Sequence, residues 1–500
     1  MIATLTAADL RQFGLAGGLP RTRPVYRHLV RALERAITNG TVTPGRRLPA
    51  EREFAVALGV SRTTIVSAYR ELEARGLVRG YVGRGTYVSA APDSSGAPFA
   101  WRGKVAAAAL RSNDSAAPTR ELIVHSSDPK LISLAAGAPA LEMFPVDAFR
   151  RSLDKVLSAG DRRFVWGQGA TEGQTPLREA IARRFGGQPE NILVLAGAQQ
   201  GLDLLARCLV DPGDTVVLDR PGYLGAIQSF RAAGARLVGW DIVQHDLDEL
   251  EDHLVRYRPK LIYTNPTFHN PTGWTMPIRL RRDFLALASR LRVPIIEDNT
   301  YRELHLGAAP PPSLHSLDTQ SIVINLGTFS KMLAPGLRLG WLTAAPPIVE
   351  QLALINPHPL AQNLTQFVLA DFIEDGTLDR HLVQVRAEHR RRRDALASAL
   401  QRHGVDGQMR WTAPDGGLYF WCRLGGRLQT SHVLARSLAE SVAFAPGAAF
   451  YVDHAGEREL RLCYSSVPVP RADEVARRLA KAINAARRET SPPPQLVAVV

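Results

Sequence analysis

The stretch Asn325-Leu-Gly-Thr-Phe-Ser-Lys331-Met-Leu-Ala-Pro-Gly-Leu-Arg338-Leu-Gly-Trp341 decides how most of this chain is to be read. The apolar run from Ser321 to Leu326 predicts a buried strand, and Thr328 and Ser330 follow it just before the lysine. Lys331 is one of only six lysines in 500 residues, the others being Lys104, Lys130, Lys155, Lys260 and Lys481. A lysine behind a buried strand is partly desolvated, which makes its amine a neutral nucleophile toward an aldehyde. The two hydroxyls and the Arg338 guanidinium are donors suited to a phosphate. The segment therefore asks for a ligand that carries both an aldehyde and a phosphate.

Working outward, strand-like runs at Ile192–Ala196, Thr215–Leu218, Lys260–Thr264, Val293–Glu297 and Ser321–Leu326 alternate with helical patterns. That alternation predicts an α/β domain with a mainly parallel sheet and helices on both faces. Such sheets place ligands beyond the carboxyl ends of their strands. Asp298 ends one run and Tyr301 lies three residues beyond it; Asn270 stands in His269-Asn-Pro-Thr-Gly273. Gly197-Ala-Gln-Gln-Gly201 follows another run and opens a helix at about Ala198, so the amides near Ala198 and Gln199 can hold a phosphate. Tyr223, in Asp219-Arg-Pro-Gly-Tyr223, can stack on a flat ring, and Arg461, in Glu459-Leu-Arg-Leu-Cys-Tyr464, can clamp a carboxylate. Singly, each has a commonplace reading: a turn cap, a turn, a packing tyrosine, a surface ion pair. Jointly they supply what pyridoxal 5'-phosphate (PLP) needs: a lysine, an acid for the ring nitrogen, donors for the phenolate oxygen and a phosphate cup.

The charge of the chain is unevenly spread. Its net charge is +13, yet residues 1–90 hold fourteen arginines, no lysine and six acids, about +8 of the total. A basic first fifth implies a module that binds a polyanion. Residues 24–38 place Val25, Leu29, Leu33 and Ile37 at helical spacing; Ala50 to Leu58 predicts a short helix stopped by Gly59; Ser61 is a fitting N-cap for a helix over Arg62 to Arg75. Leu77 to Val82 and Thr86 to Ser89 read as a hairpin around Gly83-Arg84-Gly85. Three helices and a two-stranded wing make a winged helix-turn-helix. In that fold the second helix of the motif enters the major groove by its N-terminal end, here Ser61-Arg62-Thr63. Arg62 can read guanine bidentately, Arg52 is placed for phosphate or base contact, and Gly83 and Gly85 let the wing backbone approach DNA, with Arg84 adding charge at its tip.

The remaining boundaries follow from composition. The expected order is a DNA-binding domain over 20–90, a linker over 91–130 rich in Pro, Ser and Asn, a PLP domain over 131–485, and a disordered tail over 486–500. A basic helix, Val383 to Gln401, is expected to lead into a smaller α+β part at about 383–485. Cys208, Cys422 and Cys463 are too few and too scattered for a disulfide framework or metal site, which fits a reducing cytoplasm. No apolar run of eighteen residues suggests a membrane span.

Several words in the chain carry family resemblances. Gly45-Arg-Arg-Leu-Pro-Ala-Glu-Arg52, Leu58-Gly-Val-Ser-Arg-Thr-Thr64, Ala68-Tyr-Arg-Glu-Leu72 and Gly83-Arg-Gly-Thr86 resemble the DNA-binding domain of GntR-type regulators. The ordered series Gly197, Tyr223, Asn270, Asp298, Tyr301, Lys331, Arg338, Arg461, with Leu134-Ala-Ala-Gly-Ala-Pro139 and Leu177-Arg-Glu-Ala-Ile181, resembles fold-type I aminotransferases over residues 130–485. The two joined resemble the MocR subfamily of GntR regulators. The resemblance implies that Lys331 forms the internal aldimine, Asp298 pairs with the ring nitrogen, and Asn270 and Tyr301 hold the phenolate oxygen. It further implies that Thr328, Ser330, Arg338 and the amides near Ala198 and Gln199 hold the phosphate. Two departures stand out: Ala198 replaces a common Ser or Thr, and Trp166 replaces a common Tyr that reaches the phosphate across a dimer interface.

These readings predict a cytoplasmic, homodimeric transcription regulator that binds operator DNA and senses PLP, or an amine or amino-acid effector, through Lys331. The alternative is a working aminotransferase carrying an accessory DNA-binding head. A scaffold without cofactor is disfavoured while Lys331 and Asp298 both stand.

Overall fold

The computed structural model describes residues 24–39, 41–43, 45–81, 85–89, 130–158, 163–167, 169–356, 361–453 and 455–489. Gly83, Arg84, most of the expected linker and the last eleven residues, 490–500, lie outside them. The chain divides into two compact units, residues 1–105 and 106–500.

The first unit is built from three helices and a hairpin. Helix α1 is Val25–Thr38, α2 is Glu51–Leu58 and α3 is Arg62–Ala74. Strands β1 (Val78–Tyr81) and β2 (Gly85–Val88) pair antiparallel. Leu29, Leu33, Ile37, Phe54, Leu58, Ile65 and Leu72 meet in one buried core. Val25, expected to join them, is only partly buried, and Val30 is buried instead. Gly59 ends α2 in the left-handed conformation (φ 62°), which carries no Cβ penalty in glycine. Ser61 caps α3 by accepting the Thr64 amide at 3.2 Å.

The second unit is centred on a seven-stranded sheet. In chain order its strands are β4 (Ile192–Leu195), β5 (Thr215–Arg220), β6 (Arg236–Asp241), β7 (Leu261–Thr264), β8 (Ile295–Asp298), β9 (Val323–Thr328) and β10 (Gly340–Thr343); the short β3, Ile132–Ser133, precedes them. The spatial order is β4-β10-β9-β8-β7-β5-β6. Strands β9, β8, β7, β5 and β6 run parallel, and β10 lies antiparallel between β4 and β9. Burial on both faces explains why β4, β5, β7, β8 and β9 read as apolar runs. The five parallel strands point their carboxyl ends to one edge, where Asp298 and Thr328 stand.

A long helix, Thr377–Arg402, leads into the smaller C-terminal part. It begins six residues before the expected start at Val383, because Gly376, in the left-handed conformation, sets its N-terminus. The small sheet contains β11 (Met409–Trp411), β12 (Tyr419–Leu424), β14 (Ala445–Pro446) and β15 (Glu459–Cys463), in the order β11-β12-β15-β14. Strand β13, Val442–Ala443, pairs in parallel with β3 and ties residue 132 onward to this part. The last helix runs Ala472–Arg488, so it continues three residues past the expected end of the domain at 485; Ala486 is still buried against the core.

Candidate functional site

At the carboxyl edge of the large sheet, residues far apart in sequence meet. Strand β8 delivers Asp298, which is buried; its Oδ2 accepts from Tyr263 Oη at 2.8 Å, and its Oδ1 accepts from the Thr300 amide at 3.1 Å and from the Thr300 hydroxyl. Burial lifts its carboxyl above the ordinary value, and those donors pull in the opposite direction. The loop after β7 delivers Asn270, whose amide N–H is fixed by Asn265 Oδ1 at 2.7 Å and whose Nδ2 donates to Tyr301 Oη at 3.2 Å. Asn265 is itself held by Asp219, through its amide, at 2.7 Å. Two of the expected phenolate donors, Asn270 and Tyr301, are therefore already side by side.

The helix after β4, Ala198–Leu209, begins directly at the same edge, with Gly197 at φ 97° supplying the turn. Thr328, Ser330 and Arg338 stand beside that helix end, and all of them line one pocket with Gly197, Ala198 and Gln199. Arg338 Nη2 donates to the Ala196 carbonyl at 2.9 Å, which aims the guanidinium across Gly197. A Cβ on Gly340 would come within 3.0 Å of the Ala198 amide nitrogen, so glycine there lets β10 pass under the helix N-terminus. The Gln199 side chain is already committed: it accepts from Tyr223 Oη at 3.2 Å and donates to Ser229 Oγ at 2.9 Å. It positions Tyr223, leaving only its backbone amide for an anion.

Lys331 lies between these groups. Its Nζ donates to the Gly137 carbonyl at 2.6 Å, and burial, opposed by Cys463 and Asp298 and assisted by the cations Arg461 and Arg338, lowers its pKa to about 8. Arg461 of β15 is buried, with Tyr419 and Phe450 rings at 4.1 and 4.9 Å from its guanidinium carbon. Its Nη1 donates to Asn270 Oδ1 at 2.8 Å, its Nη2 to the Ala135 carbonyl at 2.6 Å, and its buried Nε has no partner. One short strap, residues 134–138, thus supplies acceptors to both Lys331 and Arg461.

The arrangement fits PLP. A helix N-terminus, the Ser330 hydroxyl and an arginine offer donors for a phosphate, while the Thr328 hydroxyl donates to the Leu339 carbonyl at 3.2 Å; a buried acid stands ready for a ring nitrogen; a lysine of lowered pKa shares the same pocket. Sequence reading missed Tyr263, Asn265, Tyr419 and Gly137. Tyr419 lies in Gly416-Gly-Leu-Tyr419, a turn-to-strand signal with nothing to reveal that its ring covers Arg461 and its hydroxyl lies 3.0 Å from Tyr301 Oη. Trp166 is 66% exposed and lies apart from the pocket residues in this single chain. Among the described residues, no cluster of His, Cys, Asp or Glu is suited to a metal, and no helix is long and apolar enough to cross a membrane.

In the first unit, Arg52 on α2 and Ser61, Arg62 and Thr63 at the start of α3 are all exposed. Arg62 is paired with Glu51 of α2 at 2.8 Å. Gly85 has φ 102°, and a Cβ there would lie 2.7 Å from Arg47 Nε, so a side chain would be doubly unfavourable. An exposed ion pair contributes about 0–1 kcal/mol, so Arg62 can leave Glu51 for a base or phosphate at small cost. Glu51→Gln should therefore tighten operator binding by a few-fold, measured by fluorescence anisotropy at two salt concentrations; unchanged affinity would show that the pair does not compete with DNA.

Comparisons with known proteins agree with this division. Residues 25–88 match the family of bacterial regulatory proteins of the gntR type, and residues 129–479 match aminotransferase class I and II. A 2-aminoadipate transaminase of Thermus thermophilus is 35% identical over 376 residues, 74% of this chain and 94% of that protein. The crystal structure of LysN, an α-aminoadipate aminotransferase from the same species, covers 78% of this chain and 100% of its own, with TM-score 0.73 and 34% identity. Two further relatives span both units: the HTH-type transcriptional regulator TauR of Rhodobacter capsulatus is 31% identical across 89% of this chain and 94% of its own. The probable rhizopine catabolism regulatory protein MocR of Rhizobium meliloti is 31% identical across 85% and 86%. A DNA-binding head and an aminotransferase domain in one polypeptide are shared with these two regulators and set the chain apart from the free-standing transaminases; it belongs to the MocR subfamily of GntR regulators, whose aminotransferase-type domain takes PLP as its cofactor.

Proposed function

We propose that the chain is a homodimeric, cytoplasmic transcription regulator that senses PLP, or an amine or amino-acid effector, at Lys331 and relays the result to its DNA-binding head. The observation that carries this reading is the union of two features: a head with exposed Arg52, Ser61, Arg62 and Thr63, and a pocket holding Lys331 with a pKa near 8 beside the Arg461 clamp. A reading head for DNA has no use in amino-group transfer.

PLP supplies, when bound, an aldehyde carbon that amines join reversibly and a ring that withdraws electrons. The chain's own groups divide the remaining work. Lys331 offers a neutral amine above about pH 8. Asp298, held by Tyr263 and Thr300, keeps a proton on the ring nitrogen. Asn270 and Tyr301 would donate to the phenolate oxygen; Thr328, Ser330, Arg338 and the amides at Ala198 and Gln199 would hold the phosphate; Tyr223 would lie against the ring. Arg461 takes an effector carboxylate, exchanging Asn270 and Ala135 for it. An effector amine taking the place of Lys331, with its carboxylate on Arg461, would bias one dimer conformation over another, and with it the spacing of the two heads.

The test is footprinting on paired half-sites of varied spacing, with PLP and candidate amines, for wild type and Lys331→Ala. A spacing preference that responds to ligand in the wild type alone supports the reading; identical responses overturn it. Arg461→Ala should weaken a carboxylate effector by at most about 1.5–3 kcal/mol, the scale of a hydrogen bond to a charged group, because Arg461 gives up two neutral acceptors to make it; PLP retention is checked by absorbance.

A second reading, a working aminotransferase with an accessory head, is favoured by one observation: Lys331, Asp298 and Tyr223 line a single pocket. Sustained multiple-turnover transamination without operator binding would establish it over the first.

A further inference from the structure

The DNA-binding head is covalently joined to the PLP unit at one place, the chain that enters that unit, and the described residues of this entry begin at 130. Within ten residues the chain has met both Lys331 and Arg461. Strand β3 first pairs with β13: the Ile132 amide donates to the Ser441 carbonyl at 2.9 Å and the Leu134 amide to the Ala443 carbonyl at 2.7 Å. The Leu134 carbonyl then accepts the Cys463 amide of β15 at 2.9 Å. The Ser133 carbonyl accepts from Ser466 Oγ at 2.9 Å. These partners all belong to the small C-terminal part. Lys331, which follows β9 of the large sheet, ties the strap to the other part.

The middle of the strap is held by its carbonyls. Among the described residues, the Ala136, Gly137 and Ala138 amides make no hydrogen bond. Three carbonyls accept from side chains instead: Ala135 from Arg461 Nη2 at 2.6 Å, Gly137 from Lys331 Nζ at 2.6 Å, and Ala138 from Ser465 Oγ at 2.6 Å. The fit is close, because a Cβ on Gly137 would overlap Tyr419 Oη, and the Tyr419 ring in turn covers Arg461. Two of the three donors are groups that a ligand claims. An ammonium has three protons to give, whereas a nitrogen joined to an aldehyde carbon keeps one at most, so Lys331 cannot serve PLP and Gly137 alike. A guanidinium that turns to a carboxylate leaves the Ala135 carbonyl in the same way.

We propose that the strap, residues 134–138, carries the state of the pocket to the DNA-binding head. PLP on Lys331 frees the Gly137 carbonyl, a carboxylate on Arg461 frees that of Ala135, and the strap then holds to the small part by its ends and Ser465. Both ligand groups thus bias one physical element, and that element is the chain through which the head is attached. The inference rests on the sensing role proposed above and names its route.

The experiment uses the full chain, cofactor-depleted and PLP-loaded. Hydrogen exchange by mass spectrometry reads the Ile132 and Leu134 amides, which open together with the strap beside them; footprinting on paired half-sites reads the head in the same samples. PLP should speed exchange of these amides about tenfold or more in wild type, since the bond given up is to a charged donor. Lys331→Ala should exchange as fast as PLP-loaded wild type without any PLP, and should give the PLP-loaded footprint. Ser465→Ala leaves the pocket groups in place and removes the third donor. Its exchange should rise about fivefold, the weight of one ordinary hydrogen bond, and its footprint should move part of the way, with PLP absorbance unchanged. Ser466→Ala, which frees the Ser133 carbonyl, takes its place should Ser465→Ala fail to fold. A footprint that follows PLP while exchange at Ile132 and Leu134 stays constant would overturn the relay and leave the sensing reading standing. Unchanged exchange in Lys331→Ala would overturn it too. So would a strap that loosens over a footprint unmoved by PLP, and the sensing reading falls with it only if candidate amines also leave the footprint unmoved.

Discussion

Borohydride treatment of the PLP-loaded protein, followed by peptide mapping, should find the cofactor fixed on Lys331 and on no other lysine. Lys331→Ala should abolish covalent attachment outright, the largest functional effect expected of any single substitution here. The argument rests on position and on charge. Lys331 is the lysine that lines the pocket with Asp298, Tyr223 and Arg338, and its pKa is lowered from 10.5 to about 8. The sign of the pH effect follows. A depressed ammonium pKa means that the neutral, nucleophilic amine is scarce below pH 8 and predominates above it. Covalent capture of added PLP by cofactor-depleted protein should accelerate as pH rises from about 6 to 9 and level off beyond the lysine's pKa, rather than keep rising toward 10.5. Stopped-flow absorbance in the visible measures this directly. A label on Lys260, or a rate that keeps climbing past pH 9, would show that the nucleophile is misassigned or not desolvated.

The largest stability effect should come from a residue outside the pocket. Arg281 is fully buried, and its guanidinium ties three segments together. Nε donates to the Met276 carbonyl at 2.8 Å, Nη2 to the Pro266 carbonyl and Thr267 Oγ1 at 2.8 Å each, and Nη1 to the Pro312 carbonyl at 3.2 Å. Nη1 also faces the fully buried Glu297 at 3.7 Å, and Glu297 accepts the amides of Leu314 and His315 at 2.8 Å each. Burial lowers the Arg281 pKa to about 10, which still leaves it charged at neutral pH. Arg281→Met keeps much of the volume but strands a buried carboxylate and several acceptors. Removing one partner of a buried pair costs about 3–5 kcal/mol, which urea unfolding monitored by circular dichroism should register. Pro266 and Met276 bracket the loop that carries Asn270, so PLP affinity should fall as well. A loss below 1 kcal/mol would mean that the loop holds its shape without this arginine.

How much of this was legible in the sequence varied with the range of the interaction. Helices α1 to α3 were placed within a residue or two, because caps and stops such as Ser61 and Gly59 are local signals. Five of the seven strands of the large sheet, β4, β5, β7, β8 and β9, announced themselves as apolar runs. Two strands did not: β6 begins with the exposed Arg236 and is interrupted by Gly239 at the sheet edge, and β10 follows the lysine segment so closely that it does not read as a separate strand. Most of the site residues were readable because they sit at a strand end or turn, where the chain must leave the sheet; Arg461, in the middle of β15, is the exception. Their partners were not. Tyr263 to Asp298, Gln199 to Tyr223 and Tyr419 to Arg461 are pairings between different strands and loops, and nothing local in the chain encodes which side chains meet.

On the proposed reading, the strap that serves Lys331 and Arg461 also sets the threshold of the sensor. Arg461 spends two donors on neutral oxygens, Asn270 Oδ1 and the Ala135 carbonyl, so an arriving carboxylate trades places with existing acceptors instead of quenching a bare cation. Only the difference between a charged and a neutral acceptor is gained, a fraction of the full strength of a charge-assisted bond. A detector built on such an exchange has a high threshold and a fast off-rate: it follows abundant metabolites as their level rises and falls, and it stays silent toward traces.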